Sequence, residues 1–176
     1  MIELIAVSDA KDLEFDLKQI YLDSFPDNER REWNEMQQLL VHPNFNVCKI
    51  THNNILIGFI TFWKWPDLLF IEHFALNKPS RGKGTGTIIL KQIIENTSST
   101  VIVEVDVPIT EPDNRRIAFY QRLGFVLCPQ EYYQPPYIQG NDKVKMLIMS
   151  YPTILNNKEF IFVKKQIYRE VYKWDN

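Results

Sequence analysis

Apolar and polar positions along this chain follow two periods, and the switches between them mark out its elements. Residues 2–7 (I-E-L-I-A-V) suit a strand, after which Ser8 or Asp9 caps a helix carrying Leu13, Leu17, Ile20 and Tyr21 on one side. Pro26, inside the polar break 24–31, stops that helix, and a second short helix over about 31–40 ends before His42-Pro43. Residues 45–50 and 55–63 read as two strands joined by a hairpin-type connection at 51–54. A further strand-like run over 70–76 passes through Asn77–Ser80 into a basic, glycine-rich turn. Beyond it Ile89 with Ile93 and Leu90 with Ile94 form i,i+4 pairs on one helix face.

The second half continues in the same way. Val101, Val103, Val105 and Val107 alternate with Ile102, Glu104 and Asp106, the period of a strand. Thr110 or Glu111 then caps a helix that tolerates Pro112 in its first turn and stops at Gly124. Residues 126–133 and 144–149 read as late strands around an irregular Q-P-P-Y-I-Q-G-N-D loop. A capping box of Asn156 and Glu159 opens a last helix over about 156–173, with Phe160, Val163, Ile167, Val171 and Trp174 as its stripe. Hairpins first and a crossover later describe a single mixed α/β domain over 1–176, with its core over 2–150 and the C-terminal helix as an addition.

Composition narrows the function classes. The chain has 176 residues, 45% of them hydrophobic and 24% charged, enough for a substantial core. A net charge of −2 gives no global reason to expect nucleic acid or an anionic membrane as partner. Cys48 and Cys128 lack C-x-x-C spacing, and no His/Cys set has metal-ligand spacing, so free thiols and no metal are expected. The start of the sequence has neither a basic region nor a long apolar run, and no stretch is long enough to span a bilayer. A cytoplasmic location is the expectation.

The turn Arg81-Gly82-Lys83-Gly84-Thr85-Gly86 sits between a strand and a helix, the arrangement that presents free backbone N–H groups to an anion. It matches neither the dinucleotide-binding fingerprint nor the P-loop. Either it binds phosphate, with Arg81 and Lys83 adding charge, or its basic side chains merely face solvent.

The stretch I-E-H-F-A-L-N-K-P-S-R-G-K-G-T-G, followed later by N-R-R-I-A-F-Y-Q-R-L-G-F, resembles the GNAT superfamily of acyl-CoA-dependent N-acetyltransferases. Arg81, Gly84 and Gly86 match the Arg/Gln-x-x-Gly-x-Gly/Ala loop. Phe119, Tyr120, Gly124 and Phe125 match the aromatic-Tyr-x-x-x-Gly-Phe helix end. The resemblance implies a mostly antiparallel mixed sheet flanked by helices. It also implies acetyl-CoA as cosubstrate, with its pyrophosphate on the amides of Arg81, Gly82, Lys83, Gly84, Thr85 and Gly86. The pantetheine arm would run along Phe74, Ala75 and Leu76, where a backbone amide would polarise the thioester carbonyl. Tyr120 would protonate the departing thiolate, or else simply pack between helix and sheet. The second motif departs from the family's commoner form: Asp113 stands at the usual Asn position, Arg116 at the usual Ala, and Asn114 is one residue out of register as a cofactor contact.

Transfer to an amine needs a base, since only the neutral amine attacks. Glu72, on a strand face shared with Phe74 and Leu76, is the expected base, followed by Asp106 and Glu104, which project from one strand face roughly 7 Å apart. The two carboxylates would otherwise hold a cationic acceptor or pair with Arg115 and Arg116. His73 is expected in the core. The segment 25–31, with Glu29, and the tyrosines of the late loop, Tyr132 and Tyr137, are the expected acceptor contacts, unless that loop only packs on the sheet edge. The partner is expected to be a small-molecule or peptide amine, and the protein a monomer or homodimer. The competing function is a non-catalytic acyl-CoA-binding module of the same fold.

Overall fold

A computed structural model describes residues 1–13, 15–138 and 140–174; Gln139, within the expected late loop, lies outside the described residues. The strands are β1 (Ile2–Val7), β2 (Phe45–His52), β3 (Ile55–Lys64), β4 (Leu68–Leu76), β5 (Thr100–Asp106), β6 (Val126–Leu127), β7 (Tyr132–Gln134) and β8 (Val144–Tyr151). The α-helices are α1 (Phe15–Ser24), α2 (Trp33–Leu39), α3 (Thr85–Glu95), α4 (Glu111–Arg122) and α5 (Asn157–Gln166). The strands form an eight-stranded, mostly antiparallel sheet accompanied by helices, the mixed α/β class expected. The residues pack as two compact units, Met1–Trp65 with Ile71–Thr97, and Pro66–Phe70 with the chain from Ser98 on.

In the first unit β1, β2 and β3 pair antiparallel in sequence order, and β4 neighbours β3. The β2–β3 turn is tight because Asn53 and Asn54 both take positive φ, 51° and 63°, the geometry whose twist matches a hairpin. Ile50, Ile57 and Ile89 form a buried cluster, with Ile2, Leu4, Phe74, Leu76 and Ile93 packed against it. The expected i,i+4 face of α3 is thus the face that closes this core. A second core is aromatic: Tyr21 meets Phe25, Trp33, Phe59 and His73 at ring separations of 5.2–5.9 Å. Helix α2 begins at Trp33, two residues later than expected, because Arg30 and Glu32 are extended.

In the second unit β8 is the centre, pairing antiparallel with β5, β6 and β7. The strand expected over 126–133 is broken into β6 and β7, with Pro129, which has no N–H to give a ladder, in the gap. Helix α4 carries a full capping box of Thr110 and Asp113, and α5 the expected one of Asn156 and Glu159. The last helix is not α-helical throughout. After Gln166 it widens into a π-helical turn, Ile167–Val171, with Tyr172 N–H donating to Ile167 O at 3.3 Å. That turn places Tyr168 and Tyr172, beside the expected Ile167 and Val171, among the buried residues. No helix among the described residues is long and apolar enough to cross a membrane.

Candidate active site

The glycine turn has the geometry its sequence suggests. Gly82 and Gly84 take φ of 73° and 78°, left-handed values that a side chain resists, and Gly84 is the residue before α3. Ile88 N–H donates to Gly84 O at 3.2 Å and starts the helical ladder. The amides before it, running from the turn into the first helical turn, are those an α-helix leaves without an intrahelical acceptor. The helix dipole makes the same place favourable for an anion. Residues 81–84 are exposed, so a ligand can reach them. Arg81 folds back: its Nε donates to Leu76 O at 2.7 Å and its terminal nitrogen to Ser24 Oγ at 3.2 Å. It therefore braces the turn against the end of β4 and leaves its positive charge beside it.

The stretch Phe74–Leu76 is shaped by a residue that the sequence reading left unassigned. A Cβ added at Gly58 on β3 would overlap Ala75 O and lie 2.7 Å from Leu76 Cδ2. Glycine at position 58 lets the β4 backbone come in close at Ala75 and Leu76. A lone glycine inside a strand run signals such an approach and was the cue available. Asn77 N–H returns to Ile57 O at 2.8 Å just beyond it.

Glu72 does not present a free carboxylate. Its oxygens accept from Arg31, with an ion-pair distance of 2.9 Å, and from Trp63 Nε1 at 2.8 Å. Its side chain is 1% exposed and that of Arg31 8%. Burial alone would raise the Glu72 pKa. The Arg31 charge opposes it, followed by His73 and the Trp63 and Arg31 hydrogen bonds, and the net result lies below the ordinary carboxylate value. His73 is buried as expected, its backbone N–H donating to Thr61 Oγ1 at 3.1 Å and its ring at 3.3 Å from the same oxygen. Burial lowers its pKa, with Glu72 pulling the other way.

The segment 25–31 is pinned to this polar group. Tyr21 Oη accepts from Arg31 N–H at 2.9 Å and donates to Arg31 O at 3.2 Å. Arg30 Nε donates to Phe25 O at 3.1 Å, and His73 Nε2 lies 3.4 Å from Glu29 O. The contact made by Glu29 here is through its backbone carbonyl. Neither Arg31 nor Trp63 was singled out from the sequence, since nothing in a strand's alternation names the cation that a buried carboxylate will find.

In the second unit the Phe119-Tyr120…Gly124-Phe125 motif is a helix stop that holds its tyrosine. Phe125 N–H donates to Tyr120 O and Gly124 N–H to Gln121 O, at 3.1 and 2.9 Å, with Gly124 at φ 91°. This is the Schellman pattern, and its accompanying apolar contact is Tyr120 against Phe125, ring centroids 5.3 Å apart. Burial pushes the Tyr120 pKa up to about 12, against a smaller lowering by Arg116. Asp113 and Asn114 are both used in starting α4. Asp113 accepts from Thr110 N–H at 2.8 Å, and Asn114 Nδ2 donates to Thr110 O at 2.8 Å. Asp106 pairs with Arg116 at 2.6 Å, and Arg115 with Glu111 at 3.0 Å.

Glu104 has a different setting. It accepts from Tyr132 Oη, from Gln134 Nε2 at 3.0 Å and from Tyr172 Oη at 2.6 Å. Tyr137 packs on Tyr172 with centroids 5.1 Å apart. Glu104, Tyr132 and Tyr137, all singled out from the sequence, thus converge within this unit. Gln134 and Tyr172 complete the group and were not anticipated, because a 3.6 period places Tyr172 away from the apolar stripe.

Comparison with known proteins agrees with the motifs. The sequence model of the acetyltransferase (GNAT) family matches residues 12–125. Among solved structures, an acetyltransferase assigned to the GNAT family from Bacteroides thetaiotaomicron is similar at 32% identity, covering 99% of each chain with a TM-score of 0.89. The ribosomal-protein-S18-alanine N-acetyltransferase of Escherichia coli is similar in fold at 17% identity and TM-score 0.62, covering 90% of this chain and 97% of its own. Arabidopsis thaliana NAA60, solved in complex with acetyl-CoA, is similar in fold at 20% identity and TM-score 0.61, covering 86% and 97%. No curated protein matches the sequence closely enough to count as a relative.

Proposed function

Because the chain belongs to the acetyltransferase (GNAT) family, we propose that it transfers an acetyl group from acetyl-CoA to a primary amine by direct attack in a ternary complex. The observation that carries this reading is the turn at 81–86, where two left-handed glycines deliver exposed amides and a helix N-terminus to one place. Those amides suit the pyrophosphate, with the charge of Arg81 beside them and Lys83 in the turn. The β4 backbone at Phe74–Leu76, drawn in by Gly58, suits the extended pantetheine arm. The family match covers 12–125, a stretch that takes residues from both compact units, so both are read as parts of one acetyltransferase domain.

Tyr120 is the proposed acid. With a pKa of about 12 it stays protonated throughout the physiological range and can hydrogen-bond a forming thiolate. A thiolate with a pKa near that of cysteine, about 8.5, is a weaker base than the Tyr120 phenolate, so the hydroxyl acts by hydrogen-bonding the sulfur as the C–S bond breaks, and any proton it gives up is regained at once from solvent. Asn114 and Asp113 serve first as α4 caps, and a contact to the cofactor from Asn114 would need its bond to Thr110 O to yield. Glu72 is better suited to anchoring Arg31, and through it the segment 25–31, than to taking a proton.

The acceptor is a small-molecule or peptide amine. The Escherichia coli protein of similar fold is named for the alanine of a ribosomal protein, which puts peptide N-termini in the first panel to be tried. Free cysteines at 48 and 128 and the use of acetyl-CoA fit a cytoplasmic setting. The test is release of free thiol from acetyl-CoA in the presence of polyamines, aminoglycosides, amino acids and peptides with free N-termini. Release that depends on one class of amine supports the proposal. Binding of acetyl-CoA with no release for any amine favours the non-catalytic acyl-CoA-binding reading.

A further inference from the structure

The C-terminal helix is apolar on two sides. Phe160, Val163 and Ile167 are buried, and the π-helical turn adds Tyr168, Val171 and Tyr172 to the buried set. Ile161 and Phe162, between those positions, are left 53% and 62% exposed. A helix apolar all round is normally covered by something. Ile161 and Phe162 line a cleft of about 570 Å³, together with Tyr168 and Trp174. Trp174 N–H donates to Tyr168 O at 2.9 Å, which folds the chain back on the π-helical turn and brings the indole into the lining. All of these residues belong to the second compact unit, and none has a role in the acetyl transfer proposed above.

The charge around this cleft is of one sign. Lys164, Lys165 and Arg169 line it, and among the described residues of the lining none is acidic. Lys143, on the loop before β8, adds a further cation, its Nζ 4.9 Å from the centre of the Trp174 ring and 5.8 Å from that of Tyr168. Lys164 Nζ lies 5.3 Å over Tyr168. Arg169 donates to Gln166 Oε1 at 3.3 Å and pairs with Glu170 at 3.0 Å, so part of its charge is met within the segment. The excess is local, since the whole chain carries a net charge of −2. A second copy docked through the same face would bring these cations against their own equivalents, a like-charge arrangement that opposes association. A bilayer surface is flat on this scale and does not fill a concavity, whereas a projecting side chain does. From Ile161 to Arg169 the helix rises about 12 Å, the reach of about four extended residues.

We propose that this cleft docks an acidic peptide segment of a partner protein. One large apolar side chain of the segment rests on Ile161 and Phe162, and carboxylates before and after it meet Lys164, Lys165 and Lys143. Burial of the apolar side chain supplies affinity, and the cations select the partner and speed its approach. The volume of the cleft lies within the range of concave sites that hold a ligand. The C-terminal segment, an addition to the family-like core, thereby gains a task of its own: it ties the protein to a partner without entering the reaction. The inference stands apart from the acetyl-transfer reading, because it concerns binding alone and its test needs no turnover.

The test titrates the full chain into dye-labelled peptides and follows fluorescence anisotropy. The probe peptide carries two acidic residues on each side of one phenylalanine. One control peptide has serine in place of the phenylalanine, and the other has lysine in place of the acids. The wild type should bind the probe at least about tenfold more tightly than either control, and less tightly as salt rises. Phe162→Ser and Lys165→Glu change exposed side chains, so both should unfold thermally close to the wild type, and each should weaken probe binding by about tenfold or more. Lys165→Glu should also gain affinity for the lysine peptide, a reversal that damage to the fold does not produce. No binding of the probe by the wild type, or equal binding by the wild type and both variants, overturns the proposal. Sedimentation with vesicles of phosphatidylcholine and phosphatidylserine, and sedimentation velocity of the chain alone, examine the other occupants. Vesicle binding or self-association that is lost in Phe162→Ser, with no binding of the probe, overturns it as well.

Discussion

Arg31 and Glu72, 41 residues apart in the chain, meet in an ion pair of 2.9 Å with both side chains almost wholly out of solvent. Such a pair is a costly thing to bury and a more costly thing to break, because the surviving charge is left without its partner. Trp63 completes the bond set of Glu72, and Tyr21 clamps the Arg31 backbone on both its N–H and C=O. The pair is thus the point at which the segment 25–31 is fastened to the strands.

Replacing Glu72 by Gln should therefore act on stability before it acts on chemistry. The expected loss is about 3–5 kcal/mol, the usual cost of removing one member of a buried pair. Urea unfolding of the two proteins gives this difference directly. In the fraction that remains folded, kcat should fall less than about tenfold. A variant of unchanged stability whose rate drops by about 10²–10⁴ would return the base to Glu72.

Acid should destabilise the first unit in two stages. The folded pKa of His73 is lowered from 6.5 and that of Glu72 from 4.5, so the unfolded chain binds more protons than the folded one as pH falls. Stability from both groups is present above their unfolded values and is lost as pH drops through the folded ones. The urea midpoint should fall below about pH 6.5, and fall more steeply below about pH 4.5. His73→Gln should flatten the upper part of that decline. A midpoint that rises between pH 7 and pH 5 would contradict a lowered His73 pKa in the folded protein.

Two glycines should fail in different ways. At Gly84 an added Cβ meets nothing within 4 Å, so Gly84→Ala is strained only through its φ of 78°, at about 1–2 kcal/mol. At Gly58 the Cβ meets the backbone of Ala75 and Leu76, so Gly58→Ala must push β4 away. The latter should weaken acetyl-CoA binding by about tenfold or more, read by calorimetric titration, through displacement of the strand proposed to carry the pantetheine. Unchanged affinity in Gly58→Ala would separate that strand from the ligand.

Tyr120→Phe keeps the ring packed on Phe125 and removes only the hydroxyl. The maximal rate should fall by about 10²–10⁴, with acetyl-CoA affinity nearly unchanged, because a proton donor acts in the transition state and not in binding. Steady-state kinetics beside direct titration of acetyl-CoA separates the two effects. An unchanged rate would leave Tyr120 as a packing residue held by the Schellman turn.

Features governed by local chemistry were readable from the chain. The capping residues Thr110 and Asn156, the stop at Gly124, the Asn53-Asn54 hairpin and the glycine turn each follow from a few neighbouring residues and a backbone requirement. Features that depend on a distant partner were not. Strand alternation placed Glu72 near Phe74 and Leu76 but carried no information about Arg31, because ion pairing across 41 residues is decided by packing. The break between β6 and β7 left the apolar pattern intact and was signalled only by Pro129. The π-helical turn was hidden for a similar reason: its stripe Ile167 and Val171 is shared with an ordinary helix, and only the extra burial of Tyr168 and Tyr172 reveals the wider turn. The glycine turn was accordingly legible, because backbone geometry sets it, and the surroundings of Glu104, assembled by side chains from separate elements, were less so.

The most direct measurement is the fate of a 13C-labelled acetyl group supplied on acetyl-CoA, followed by mass spectrometry of both the amine and the protein. Under direct transfer the label appears in an amide of one class of amine, in step with thiol release, with none carried covalently by the enzyme. Label that stays on CoA across every amine, or that accumulates on a side chain of the protein, would contradict direct transfer.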